Sequence, residues 1–266
     1  MIRNRVLLGA FVLAPIMAAA GQGQEQTSDF RWGEHIDAGR SVRVGNVNGI
    51  VTIRAGGGDR VEVTAVKRWR RGDPASVKIY AARESNGDVR VCPLYDDRQD
   101  CDDHGRSDWR RRDRDRDQDN DVSIDLTILV PRGVNISAAT VNGNVSVTGA
   151  TENIDAATVN GDVTIESGRG RLSATTVSGT VNATVVTQPS AIDFTTVNGS
   201  VIAELASSIG ADVEMTTVNG NLQSDYDIVV RNGRFNPFNL NAHVGPPGGP
   251  KMRLTTVNGN VVLKKR

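Results

Sequence analysis

Thr140-Val141-Asn142-Gly143, Thr158-Val159-Asn160-Gly161, Thr176-Val177-Ser178-Gly179, Thr196-Val197-Asn198-Gly199, Thr217-Val218-Asn219-Gly220 and Thr256-Val257-Asn258-Gly259 decide the fold. Successive glycines lie 18, 18, 20, 21 and 39 residues apart, the last interval being close to two periods with one degenerate copy between. A period near twenty marks stacked units, none of which can bury its apolar face alone.

Counting outward from each glycine gives the contents of one unit. Seven places before it stand Ile136, Ile154, Leu172, Ile192, Val213 and Met252; five places before it stand Ala138, Ala156, Ala174, Phe194, Met215 and Leu254. Polar residues such as Ser137, Asp155, Ser173, Asp193 and Glu214 separate these columns, the period of two of a strand buried on one face. Two places after the glycine the alternation resumes with Val145, Val163, Val181, Val201, Leu222 and Val261. Each unit is strand, turn, strand. Asn-Gly between apolar runs ordinarily announces a hairpin, but the equivalence of the units makes the turn a corner, with like residues of neighbouring coils in parallel ladders. Asn142, Gly143, Asn160, Gly161, Gly179, Asn198, Gly199, Asn219, Gly220, Asn258 and Gly259 are therefore assigned as structural corner residues.

Strict alternation turns the threonine three before the glycine inward, where stacked Thr and Asn side chains can satisfy one another along the coil axis. The valine column two before the glycine (Val141, Val159, Val177, Val197, Val218 and Val257, with Val47 in an earlier copy) is then awkward. A bend at the corner that turns both columns inward is favoured by the usual burial of β-branched residues. The alternative is an exposed apolar stripe, flanked by Ala139, Ala157, Thr175, Thr195, Thr216 and Thr255, which would mark an interaction or self-association surface.

Residues 1–20 read as a signal peptide: Arg3 and Arg5, an apolar core from Val6 to Met17, and Ala18-Ala19-Ala20 before Gly21. The run is short for a membrane span, no Cys follows it to indicate a lipoprotein anchor, and no second long apolar run occurs, so the mature chain is expected to be exported without a transmembrane segment and to be periplasmic, secreted or at the cell surface. Residues 21–38 read as a loose polar leader with Phe30 and Trp32 as docking points. Val42, Val44, Asn48-Gly49, Val51 and Ile53 form a seventh, divergent copy. Alternating runs at Arg60–Lys67, Ser76–Ala81, Asp88–Cys92 and Asp121–Val130 complete an N-terminal β region, 39–131, expected to cap the open edge of the coil in 132–266.

Only 4% of residues are aromatic against 28 glycines, so the core must come from Val, Ile, Leu, Ala and Thr. Thirty-one basic and 31 acidic side chains balance, which removes the electrostatic argument for nucleic acid. Charge is instead concentrated locally. Asp96 to Asp121 holds eleven Asp and seven Arg and cannot form a core. Asp117, Asp119 and Asp121 have the alternate spacing of a calcium loop, but Val122 stands where such a loop needs Gly and no Glu closes it; a solvated, self-pairing insertion is the better reading. Cys92 and Cys101 are the only cysteines, and in an exported chain they are expected to form a disulfide pinning this insertion. Lys67-Arg68-Trp69-Arg70-Arg71 offers four charges around an indole to an anionic envelope polymer, although solvated arginines at a strand end explain it equally.

Catalytic signatures are missing: there is no Gly-x-Ser-x-Gly, no His-Glu-x-x-His and no phosphate-binding loop, and His35, His104 and His243 are scattered. Asp155, Asp193 and Glu214 share the column six before the glycine, the place to look for a polysaccharide-cleaving pair, with Ser137 and Ser173 interrupting them. No cofactor, metal or catalytic residue is expected.

The Thr-x-Asn-Gly units, the Asn48-Gly49 copy, the strand Leu126 to Pro131 and the glycine-rich run Gly245 to Gly249 together resemble the bacterial adhesin-type family of unknown function built on β-strand repeats, close to the head domain of autotransporter adhesins. The resemblance covers about Ser41 to Leu263. It implies a right-handed or related β-solenoid, an envelope location and an adhesive or scaffolding role, and brings no catalytic residues. The expectation is an all-β chain, a parallel β-helix-like solenoid with coils of about 18–21 residues. It acts without catalysis, by presenting a repetitive surface to an envelope or surface polymer or protein. A periplasmic structural or envelope-stress component and a polysaccharide-acting enzyme are the competing readings.

Overall fold

The six-fold phrase recurs because it solves one problem: how to turn a strand through a corner while stacking on an identical corner. The computed structural model describes residues 25–95, 101, 121–167, 169–227, 229–230 and 238–266. Residues 1–20 and most of the Arg/Asp insertion lie outside them.

In chain order the first strands are β1 (Glu25–His35), β2 (Ser41–Gly45), β3 (Val51–Gly56), β4 (Arg60–Trp69), β5 (Lys78–Arg83), β6 (Val89–Leu94) and β7 (Ser123–Pro131). The repeats supply β8 (Asn135–Ala139), β9 (Val145–Thr148), β10 (Ile154–Ala157), β11 (Val163–Ser167), β12 (Arg171–Ser178), β13 (Val181–Val185), β14 (Ala191–Asn198), β15 (Val201–Leu205), β16 (Ala211–Thr216) and β17 (Leu222–Ser224). The last are β18 (Val229–Val230), β19 (Asn239–Val244), β20 (Lys251–Asn258) and β21 (Val261–Lys265). Apart from one short 3-10 turn at Pro74–Ser76, all of these elements are strands.

Two sheets result, of ten and eleven strands among the described residues. In one the order is β1-β4-β7-β3-β9-β11-β13-β15-β21-β17; in the other it is β18-β19-β16-β20-β14-β12-β10-β8-β2-β6-β5. Every unit places its first strand in the second sheet and its second strand in the first, so each corner links the two. Equivalent residues pair in parallel, Ile154 with Ile136 and Leu172, Val163 with Val145 and Val181. The columns seven and five before the glycine and two after it are buried, except Leu222 on the edge strand β17, and they form one continuous core.

Two expectations are corrected. The residues read as a loose leader contain β1, antiparallel to β4, with Phe30 opposite Ala65 and Trp32 opposite Val63; both aromatic rings pack against the core, and the open edge of β4 gives the polar remainder hydrogen-bond partners. Among its described residues, the interval between Gly220 and Gly259 holds no degenerate copy. It holds β19, antiparallel to β16, and β18, antiparallel to β19. The units also do not stack in chain order: β20 lies between β14 and β16, and β21 between β15 and β17.

An additional rung comes from β6 and β7, parallel to β2 and β3. The Arg/Asp insertion leaves the chain between these two strands, where the other units have their corner. Ile124 then takes the glycine's place: Asn46 Nδ2 donates to its carbonyl at 2.8 Å, and Asp125 Oδ1 accepts from Ile50 N–H. Cys92 and Cys101 are bonded, with Cα atoms 6.2 Å apart, and Arg90 Nη1 donates to the Cys101 carbonyl.

Candidate interaction surface

The corner fixes which side chains face solvent. Thr158, Thr176, Thr196, Thr256 and Thr217 each donate a hydroxyl proton to the glycine carbonyl of the rung beneath at 2.8–2.9 Å, and Thr140 does so to Gly49 at 3.3 Å. These threonines are buried, at most 4% exposed. Because glycine carbonyls stack under glycines, a Cβ on Gly161 would overlap the Gly143 carbonyl, and Gly143, Gly179, Gly199, Gly220 and Gly259 face the same obstacle. Close backbone approach is why glycine stands there.

With threonine inward, valine must point out. Val141, Val159, Val177, Val197 and Val257 are 37–40% exposed and Val218 is 57% exposed. The bend favoured from sequence is thereby overturned. It fails because the threonine hydroxyl is needed inside to serve the glycine carbonyl, and a strand cannot turn two successive side chains the same way. In spatial order the stripe runs Val141, Val159, Val177, Val197, Val257, Val218, spaced by about 4.8 Å per strand. On the same outward face, two residues back, run Ala139, Ala157, Thr175, Thr195, Thr255 and Thr216.

An asparagine ladder borders the stripe. Asn142 Nδ2 donates to Asn48 Oδ1 and Asn160 to Asn142, both at 2.9 Å; Asn258 donates to Asn198 and Asn219 to Asn258, both at 2.8 Å. Ser178 interrupts it. Beyond the glycines, Asn144 Oδ1 accepts from Asp162 N–H and Asp162 Oδ1 from Thr180 N–H, so side chains carry the ladder around the corner. The surface is thus an apolar column held in register by a polar one. Threonine and asparagine were legible as ladder formers; the acceptor role of the residue after the glycine went unread, although its Asn, Asp and Ser content was a signal.

The basic cluster does not converge on the stripe. Lys67 Nζ donates to the Pro74 carbonyl, Arg68 Nε lies 2.8 Å from Asp125 Oδ2, and Trp69 packs against the core. Arg70 and Arg71 are exposed, but their backbone N–H groups, with that of Gly72 at 2.8 Å, are held by the Asp121 carboxylate. The Gly72 N–H foremost, then those of Arg70 and Arg71, keep this carboxyl below the usual aspartate range. Asp121 is therefore engaged as a backbone acceptor; Asp117 and Asp119 of the calcium idea lie outside the described residues.

The carboxylate column is divided by the out-of-order rung. Arg253 stands between Asp193 and Glu214, its Nε 3.3 Å from Glu214 Oε2, and Ser173 stands between Asp155 and Asp193. Carboxylates of this column thus lie two strands apart, about 10 Å by strand spacing, with an arginine between two of them. His243 lies against Asp212 and His35 against Asp37 and Asp59, on different elements.

Together these features define an all-β protein of two large sheets built from repeating strand–corner–strand units. Residues 49–264 match the family described as Toastrack DUF4097, and the chain belongs to that family. Among curated proteins none matches the sequence. A structure described as a candidate cell adhesion protein of Clostridium sporogenes ATCC 15579 is similar over 92% of this chain and 100% of its own, at 8% identity and a TM-score of 0.46. A candidate adhesin of Bacteroides fragilis NCTC 9343 is similar over 92% of this chain and 99% of its own, at 9% identity and a TM-score of 0.31. No helix among the described residues is long and apolar enough to cross a membrane.

Proposed function

We propose that this chain is an exported, non-catalytic β-solenoid that works by presenting its corner edge to a repetitive partner in the cell envelope or at the cell surface. In this reading β1, β4 and β5 cap the N-terminal end of the coil, and the corners serve as they would in autotransporter adhesin heads. The observation that carries it is the register of the six exposed valines. A soluble β protein ordinarily places polar residues on such a column, and an unbroken apolar strip marks a contact. The strip is one or two side chains wide and repeats at the strand spacing of about 4.8 Å. It therefore suits an extended or sheet-like polymer or protein, engaged rung after rung, better than a compact ligand.

The test replaces Val159, Val177 and Val197 together by Thr, which keeps β-branching and removes apolar area. The expected result is unchanged thermal stability with loss of attachment to cell-envelope material. Retained attachment would overturn the reading. Fractionation with protease accessibility on intact cells tests location independently: a chain wholly protected in the periplasm would favour an internal scaffold over adhesion.

A further inference from the structure

The unit Lys251–Lys265 occupies an interior rung although it follows every other unit in sequence. Its neighbours on both sides carry the same corner. Thr256 Oγ1 donates to the Gly199 carbonyl at 2.8 Å, and Thr217 Oγ1 donates to the Gly259 carbonyl at 2.9 Å. The corner of the slot is thus lined by groups that recognise any Thr-Val-Asn-Gly unit, and this copy adds Arg253 against Glu214 and Lys265 over the Tyr226 ring.

The connection that precedes the slot is long enough for the slot to stand closed up before it is filled. Residues 186–190 join β13 to β14 across one rung, and residues 206–210, the same number, join β15 to β16 across two. Five residues reach up to about 17 Å, and two rungs need about 10 Å, so the same loop permits β16 to sit directly on β14 until the last unit enters. The hinge 245–250, Gly-Pro-Pro-Gly-Gly-Pro, must carry the chain from β19, on the far side of β16, around to β20 on its near side. It wraps tightly: Asp212 N–H donates to the Pro250 carbonyl, and a Cβ on Gly249, where φ is +117°, would overlap the Gly210 carbonyl.

We propose that this rung is an exchange site for a second copy of this chain, each copy inserting its Lys251–Lys265 unit between β14/β15 and β16/β17 of the other. The exchanged pair keeps every ladder contact of the slot and differs only at the hinge and in the cost of association. Stiff, tightly wrapped hinges favour that outcome. The inference is independent of the adhesive reading.

Two batches of full chain test it, one carrying Thr195→Cys and the other Thr255→Cys, residues that are register partners on β14 and β20. The batches are unfolded together, refolded at increasing concentration and treated with a short bis-maleimide. Exchange gives a cross-link between batches whose yield rises with concentration. Gly248→Ala, at a position where the wrapped hinge holds φ at +85°, should raise it several-fold. Ala139→Cys in place of Thr195→Cys, three rungs away, should give none. A yield no higher than this control at every concentration overturns the proposal, and so does a yield unmoved by Gly248→Ala in protein that still folds. Should that variant fail to fold, the concentration series with the native hinge decides alone.

Discussion

The hydroxyl of Thr158 donates to the carbonyl oxygen of Gly143, 2.9 Å away on the neighbouring rung. That bond ties an inward side chain to the most tightly stacked backbone atom of the corner. Thr158→Val keeps the shape and removes the donor, leaving a buried carbonyl short of a partner. The expected loss is about 1 kcal/mol, read as a lower denaturant midpoint at unchanged slope.

Gly161→Ala should cost more, about 2–4 kcal/mol, because the added methyl meets the Gly143 carbonyl, a backbone atom that cannot step aside. Gly57→Ala, where a Cβ meets nothing within 4 Å, is the control and should stay within about 0.5 kcal/mol.

Val163 is fully buried between Val145 and Val181, whereas Asp155 points to solvent. Val163→Asp should cost about 3–5 kcal/mol as an unpaired buried charge, while Asp155→Asn should change stability by less than about 0.5 kcal/mol. Equal effects in denaturation would mean the two faces are misassigned.

The Asp121 carboxyl titrates below its unfolded value, so its hold on the 70–72 backbone is complete above the ordinary aspartate range and is lost as pH falls through the lowered one. The Gly72 amide proton followed by NMR should shift with an inflection below that of a free aspartate, and Asp121→Asn should abolish the inflection.

Much of the architecture was legible because period-two columns record burial directly: Ile154, Ala156 and Val163 could be placed inside from spacing alone. The valine column was not, since burial of β-branched residues and strict alternation point opposite ways at Val159. What decides it is the need of the Gly143 carbonyl for a donor, a contact between rungs that no single unit displays. Rung order was hidden for a related reason. Identical corners stack equally well in any sequence, so nothing in Thr256 to Gly259 says that its neighbours are Gly199 and Gly220. At the other end, the β6–β7 rung lacks the phrase altogether, with Ile124 in the glycine's place, and only its buried alternation from Val122 to Val130 betrayed it.

The out-of-order rung gives a further, counterintuitive expectation. Were the units stacked as they follow in sequence, Val261 would lie at the end of the array and Leu222 inside it. The structure reverses them: Val261 is fully buried between Val201 and Leu222, while Leu222, on the edge strand β17, is only half-buried. Truncating a buried side chain costs its transfer free energy plus that of the cavity left behind, and an edge position can relax or admit water. Val261→Ala should therefore cost about 2 kcal/mol and Leu222→Ala about 1 kcal/mol or less, although leucine loses more atoms. Equilibrium unfolding of the two variants measures the difference, and a larger loss for Leu222→Ala would show that the units stack in chain order.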